Sequence, residues 1–237
     1  LSQAQQQHFA ESGYLIIRDC VPLELLDAVD IEIDQLVESD PPAVETTGKH
    51  FYFLAPKKLP AADAALRRSN GLQIAETLAT AAPLIHGYGH IQVALNIPSW
   101  DHIPGGPHID GYHDPRRPHP FTMLAGIFLG DELKPGNGNL WVWPGSHLAH
   151  AQLFRTSGVH ALKPTQGHYP VLDAQVQLGD PIPVLAERGD LILAHYLLGH
   201  NSGGNTSDRT RRALYYRLSC ANGDDQWPKR LTDPFYE

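Results

Sequence analysis

The chain has 237 residues, 42% of them hydrophobic and 19% charged, with a formal net charge of −8. That length is ordinary for one all-β sandwich or barrel and ample for a buried core. An acidic balance with no long basic run argues against nucleic acid or an anionic membrane as partner. The 21 glycines and 20 prolines favour a turn-rich β architecture over a helical bundle. Cys20 and Cys220 stand far apart and outside any CxxC pattern, so free thiols in a reducing cytoplasm are expected. No apolar run approaches the roughly 20 residues that span a bilayer, and Leu1-Ser2-Gln3-Ala4-Gln5 carries no charged-then-apolar secretion signal. The expectation is a cytoplasmic monomer or homodimer whose partner is a small molecule.

In chain order, Ser2 and Gln5 have the spacing of a capping box and Gly13 is a natural stop, which predicts a short helix before the strand Tyr14-Leu15-Ile16-Ile17. Pro22 suits the first turn of a second helix, on which Leu25, Leu26, Val29, Ile33, Leu36 and Val37 share a face until Asp40-Pro41-Pro42 ends it. A loop rich in Lys and Pro follows. Within it residues 47–58 mix aromatic and cationic side chains and read as a lid over a binding mouth, with a solvated connector as the alternative. Residues 72–81 predict another helix. From residue 90 short apolar runs at 90–97, 121–129, 139–143, 182–186, 190–196 and 212–220 alternate with Gly, Pro and Asn turns. Helices first and strands afterwards predict one domain over residues 1–237, mainly helical to residue 89 and a jelly-roll core over 90–220. The fold class is mainly β, a cupin-like double-stranded β-helix whose two sheets leave a cavity at one mouth.

His108-Ile109-Asp110, followed about ninety residues later by His200 and then by Arg211, carries the chemistry. Two imidazoles and a carboxylate can occupy one face of a six-coordinate metal and leave three positions open, as in non-heme Fe(II) oxygenases. Side chains alternate along a strand, so His108 and Asp110 point one way and Ile109 the other. His200 has to arrive from a different strand end, which requires a barrel or sandwich. A guanidinium offers a planar fork that matches a carboxylate bidentately, so Arg211 suits the buried end of a dicarboxylic acid. Strand alternation then sends Arg212 outward, while Arg209 stays in the turn.

The stretch from Gly199 to Tyr216, with His200, a Ser/Gly/Asn-rich turn and Arg211 eleven positions on, resembles the closing motif of the phytanoyl-CoA dioxygenase family. Residues 9–17 are similar to its N-terminal Phe-x-x-x-Gly-Tyr segment, residues 138–147 to its Gly-Asn-Gly…Pro-Gly-Ser-His turn, and Gly189-Asp190-Leu191 to a strand start. The resemblance spans nearly the whole chain and is weakest from about residue 40 to 90. It implies Fe(II) bound by His108, Asp110 and His200, with 2-oxoglutarate and O2 as cosubstrates and Arg211 on the far carboxylate. Ser202 would donate a hydroxyl to that carboxylate. Gln92 and Asn96, four apart on one strand face, are either lining of the cosubstrate pocket, as in relatives, or ordinary strand polars. The implied activity is a dioxygenase that hydroxylates a C–H bond of a small or medium organic molecule and releases succinate and CO2. Desaturation, ring closure or epimerisation use the same parts; halogenation is disfavoured because Asp110 is present.

His195 competes with His200 but lies inside an apolar run; His147 follows Pro144-Gly145-Ser146 and reads as a turn residue. His113 and His119 are rim residues or merely solvated. Trp100, Tyr112, Trp141 and Trp143 wall a pocket or fill core. Two other classes use the same chain differently: a cupin-like metal-dependent isomerase or lyase without O2, and a non-catalytic binding module. Residues 44–60, 100–106 and 112–120 would carry the substrate contacts.

Overall fold

The computed structural model describes residues 1–41, 50–54, 59–79, 84–85, 91–104, 106–109, 123–159, 161, 176–220 and 227–235. Helix α1, Gln3–Ser12, opens on a capping box: the Ser2 hydroxyl accepts Gln5 N–H at 3.2 Å and the Gln5 side chain accepts Ser2 N–H at 2.8 Å. It stops at Gly13, whose φ of 81° is a left-handed cap suited to a residue without Cβ. Strand β1, Tyr14–Ile17, follows, then α2, Leu23–Ser39, which buries Leu25, Leu26, Val29 and Ile33. The expected lid is a strand over part of its length: β2, His50–Leu54, pairs antiparallel with β4, Ile91–Asn96. The Lys/Pro-rich stretch also contains an unexpected helix, α3, Pro60–Arg68. Its signals are Pro at N1, Asp63 in the first turn and Arg67 and Arg68 in the last. Both carboxylate oxygens of Glu32 on α2 accept from it, from Ala61 N–H at 3.1 Å and Ala62 N–H at 2.9 Å, which satisfies two open donors of the helix start.

Helix α4, Gly71–Ala79, and strand β3, Leu84–Ile85, complete the first third. The remaining elements are β5, Met123–Phe128; β6, Leu140–Val142; α5, Ser146–Ser157; β7, Ile182–Pro183; β8, Leu191–His195; β9, His200–Ser202; β10, Arg211–Cys220; and α6, Trp227–Thr232. His147 therefore sits at the start of α5 instead of in a turn; Pro144-Gly145 turns the chain directly into that helix.

The strands form a jelly roll of two sheets flanked by helices. The larger runs β1-β8-β5-β10-β4-β2, with β3 also on β10, and the smaller β7-β6-β9. The larger sheet thus draws β1, expected as a strand, and β2, not expected as one, from the part expected to be mainly helical. Alternation divides its faces. Ala94, Leu124, Phe128, Ile192, Ala194, Ala213 and Tyr215 face the smaller sheet and pack with its Leu140 and Val142. Val93, Leu95, Ala125, Ile127, Leu191, Leu193, Leu214, Tyr216 and Leu218 face outward against α1 to α4. The helical layer is clasped by charge as well. Arg188 reaches Asp27 at 2.9 Å and Asp30 at 2.7 Å, and Arg212 reaches Asp30 at 3.4 Å and Asp34 at 2.6 Å, all on α2. Among the described residues no helix is long and apolar enough to cross a membrane.

Candidate active site

Strand β9 positions the first half of the site. His200 and Ser202 alternate with Asn201, register with Val142 and Leu140 of β6, and so face the interior of the roll. Residues 100–104 and 106–108 run antiparallel to the stretch from His200 to Asn205. His108 and His200 exchange two backbone hydrogen bonds at 3.0 Å each, Asn201 Nδ2 donates to Gly106 O at 3.0 Å, Gly204 N–H donates to His102 O at 2.8 Å, and Trp100 N–H donates to Asn205 O at 2.8 Å. Gly204 is required there, because a Cβ would collide with Trp100 O and His102 N.

This stitching holds the rings of His108 and His200 with centroids 4.4 Å apart. His200 Nδ1–H donates to Leu198 O at 2.9 Å, which leaves Nε2 as the nitrogen with a lone pair, the tautomer a divalent metal requires. His200 is 8% exposed. Asp110 lies outside the described residues, as do Tyr112, His113 and His119. Among the described residues no set of three or more His, Cys, Asp or Glu side chains converges to hold a metal. The two imidazoles fit two positions of a facial triad by donor type and mutual distance.

The second half of the site comes from the larger sheet. Arg211 registers with Asn96 on β4, and both are buried, at 7% and 1% exposure. Arg212, the next residue, faces α2, and Arg209 is on the exposed turn. Asn96 Nδ2 donates to Gly203 O at 2.8 Å and Gly138 O at 3.2 Å, so it ties the Arg211 region to the residue following Ser202. Its Oδ1 is buried without a hydrogen-bond partner among the described residues. Gln92 is farther along the same face and accepts from Arg217 at 3.4 Å. The structure thus brings His108, His200, Ser202, Asn96 and Arg211 to one end of the roll, and Gln92 toward its middle.

Sequence reasoning missed Glu132. Its Oε1 accepts Arg211 Nε–H at 2.6 Å, and Arg211 Nη2 donates to Tyr215 Oη at 2.9 Å. Burial pushes the Glu132 carboxyl up, to about 7, against the pull of Arg211 in the opposite direction. Arg211 loses from burial, but Glu132 and then Tyr215 hold it above its ordinary range. Nothing in the sequence separates Glu132 from its exposed neighbour Asp131, since the pair stands outside any periodic run.

The motif residues beyond the site brace it. Asp190 accepts from Arg18 Nη1 at 2.5 Å and from Asp19 N and Glu187 N at 2.9 Å each, joining the start of β8 to the N-terminal strand. Asn139 Nδ2 donates to Glu132 O and Val184 O at 3.2 Å each. Asn205, also unanticipated, fixes the turn before Arg211 by donating to Asn96 O at 2.7 Å and Arg209 O at 2.8 Å. Trp141 is on the face of β6 turned away from the roll, Trp143 is buried, and Trp100 stacks on His102 at 4.6 Å.

Solved structures resemble this one at low identity. The epimerase SnoN in complex with Fe3+, alpha ketoglutarate and nogalamycin RO is similar with a TM-score of 0.70 and 18% identity, over 93% of this chain and 84% of that one. HygX from Streptomyces hygroscopicus with nickel and 2-oxoglutarate bound is similar with a TM-score of 0.60 and 18% identity, over 93% and 88%. Phytanoyl-CoA dioxygenase domain-containing protein 1 of Bos taurus is 32% identical over 119 residues, 48% of this chain and only 40% of that protein. The family described as Phytanoyl-CoA dioxygenase (PhyH) matches residues 9–213, and the chain belongs to that family.

Proposed function

We propose that this protein is a non-heme Fe(II)- and 2-oxoglutarate-dependent dioxygenase that hydroxylates a C–H bond of a small or medium organic molecule. The observation that carries it is the pairing of His108 and His200, rings 4.4 Å apart, on the face of the roll that also receives Arg211. Family membership and the metal and 2-oxoglutarate in SnoN and HygX support the cofactor choice. His108, Asp110 and His200 would hold the iron, and Arg211 with Ser202 the far carboxylate of 2-oxoglutarate. When bound, these groups supply the oxidative decarboxylation with O2 that releases succinate and CO2.

The chain's own residues orient and exclude. Leu198 O fixes the His200 tautomer, and Glu132 and Tyr215 set the plane of the Arg211 fork before any ligand arrives. Phe128, Leu140 and Val142 line the interior with apolar surface, which strengthens polar contacts made there. SnoN is an epimerase, so one fold serves more than one reaction outcome, and hydroxylation is the outcome proposed for this chain. Anaerobic calorimetry with Fe(II) and then 2-oxoglutarate tests it, followed by admission of O2 and measurement of succinate. Metal-dependent 2-oxoglutarate binding and O2-dependent succinate are expected. Metal binding without either would favour an isomerase or lyase.

A further inference from the structure

Glu132 is held in place by its backbone. Its N–H donates to Ala186 O at 2.8 Å, its carbonyl accepts from Ala186 N–H at 3.4 Å, and Asn139 Nδ2 adds the third bond at 3.2 Å. The side chain, 2% exposed, reaches Arg211 through Oε1 alone; Oε2 is buried without a hydrogen-bond partner among the described residues. Of the five N–H groups of a guanidinium, Arg211 commits Nε–H to Glu132 and one Nη2–H to Tyr215. Three remain for an incoming carboxylate, and that carboxylate would arrive beside a charge of its own sign.

Two carboxylates on one buried cation do not both stay ionised without cost. The neutral form of Glu132 removes the buried negative charge, one of whose oxygens, Oε2, has no donor among the described residues to stabilise it. Arg211 is the charged group acting on this carboxyl, with Tyr215 beyond it on the same strand. The other ionisable neighbours, Asp131, Lys134, Glu187 and Arg188, lie on the exposed or half-exposed outer side of the loop and of the segment facing it.

We propose that Glu132 is a proton-coupled positioning residue for the cosubstrate: it holds Arg211 in the roll, and it takes up one proton from solvent when the far carboxylate of 2-oxoglutarate binds. This rests on Arg211 as the 2-oxoglutarate anchor. Its carboxyl, already raised by burial, is poised to make that uptake visible near neutral pH.

The test is calorimetry of 2-oxoglutarate binding to the Mn(II)-loaded protein in two buffers of different ionisation enthalpy, at pH 6 and pH 8, with the wild type and Glu132→Gln. The wild type should take up close to one proton at pH 8 and little at pH 6, and its Kd should weaken by about tenfold per pH unit above pH 7. Glu132→Gln should show neither the uptake nor the slope, and should bind 2-oxoglutarate more tightly than the wild type at pH 8. A titrating metal ligand would contribute equally to both proteins, so the difference isolates residue 132. Equal uptake and slope in the two proteins would overturn the proposal. If the variant does not fold, the wild type decides: binding at pH 8 without proton uptake overturns it. A wild type that binds no 2-oxoglutarate at either pH overturns the anchor reading itself and this inference with it.

Discussion

His195 donates through Nε2 to the carbonyl of Pro234 at 2.8 Å and accepts the N–H of Leu197 at Nδ1, so both of its ring nitrogens are committed to backbone. It is thereby unsuited to compete with His200 as a metal ligand. Its neighbours are each held through one ring nitrogen: His147 Nε2 donates to Ala10 O at 3.1 Å and His150 Nδ1 to Leu197 O at 2.7 Å. Burial holds all three neutral, pushing His195 down to about 3 and His147 and His150 to about 4. The unfolded chain binds these protons first, so the stabilisation is complete above about pH 6.5 and is lost as pH falls toward the folded values. At pH 5 the loss is roughly 2 kcal/mol per histidine, opposed over the same window by Glu132, whose raised carboxyl favours the fold as pH falls. Thermal unfolding should give a lower Tm at pH 5 than at pH 7, and His150→Gln should reduce that difference. A Tm independent of pH across this window would contradict the neutral burial.

Asp110→Ala should abolish Fe(II) binding while leaving the far-ultraviolet circular dichroism unchanged, since an open metal site depends on its ligands more than the core does. Metal stoichiometry by elemental analysis after anaerobic loading reads the outcome. Full Fe(II) affinity in this variant would remove Asp110 from the triad.

Arg211→Ala should weaken 2-oxoglutarate binding beyond detection and destabilise the protein by about 3–5 kcal/mol at pH 8, because Glu132 is left as a buried unpaired charge. At pH 6 the stability cost should shrink, since the raised carboxyl can then hold a proton. Arg212→Ala should cost about 1 kcal/mol or less through its part-exposed pairs with Asp30 and Asp34 and leave 2-oxoglutarate binding unchanged. Denaturant melts and calorimetry on both variants separate the two arginines.

Gly204→Ala should act on the metal without touching it. A Cβ at this position meets backbone atoms of Trp100 and His102, so the stretch holding Trp100 and His102 must lift away and take His108 from its place beside His200. Fe(II) affinity should fall by about tenfold or more, which is at least 1.4 kcal/mol, while Gly130→Ala, where a Cβ meets open space, should leave it unchanged.

Much of the site's outline was legible from strand parity. Successive side chains alternate, so a single orientation for Arg211 fixes Arg212, Ala213 and Tyr215 as well. The capping box of α1 and the apolar face of α2 were equally local and therefore readable. What escaped was non-local or locally ambiguous. Helix α5 follows a Pro-Gly-Ser sequence that reads as a turn, and its histidines are buried through contacts with Ala10 and Leu197 that lie far off in the chain. Strand β9 has three residues, too few for a period. The partnership of Glu132 with Arg211 spans 79 positions and leaves no mark on either local sequence.

Arg211 and Arg212 are consecutive, one turned into the roll and the other toward α2, so the start of β10 looks nearly the same to the protein if the strand shifts by one residue. Either arginine could then serve either face. The choice is made farther on, where Leu214, Tyr216 and Leu218 enter the helical core and Arg217 meets Gln92 inside the roll. A shift would exchange those sets, burying Arg217 among leucines. Leu218 lies seven residues from Arg211, roughly 23 Å along an extended strand. A polar substitution there would weaken the preference for one alignment and could exchange which arginine is offered to a ligand, a loss of binding caused by a residue that touches nothing in the site.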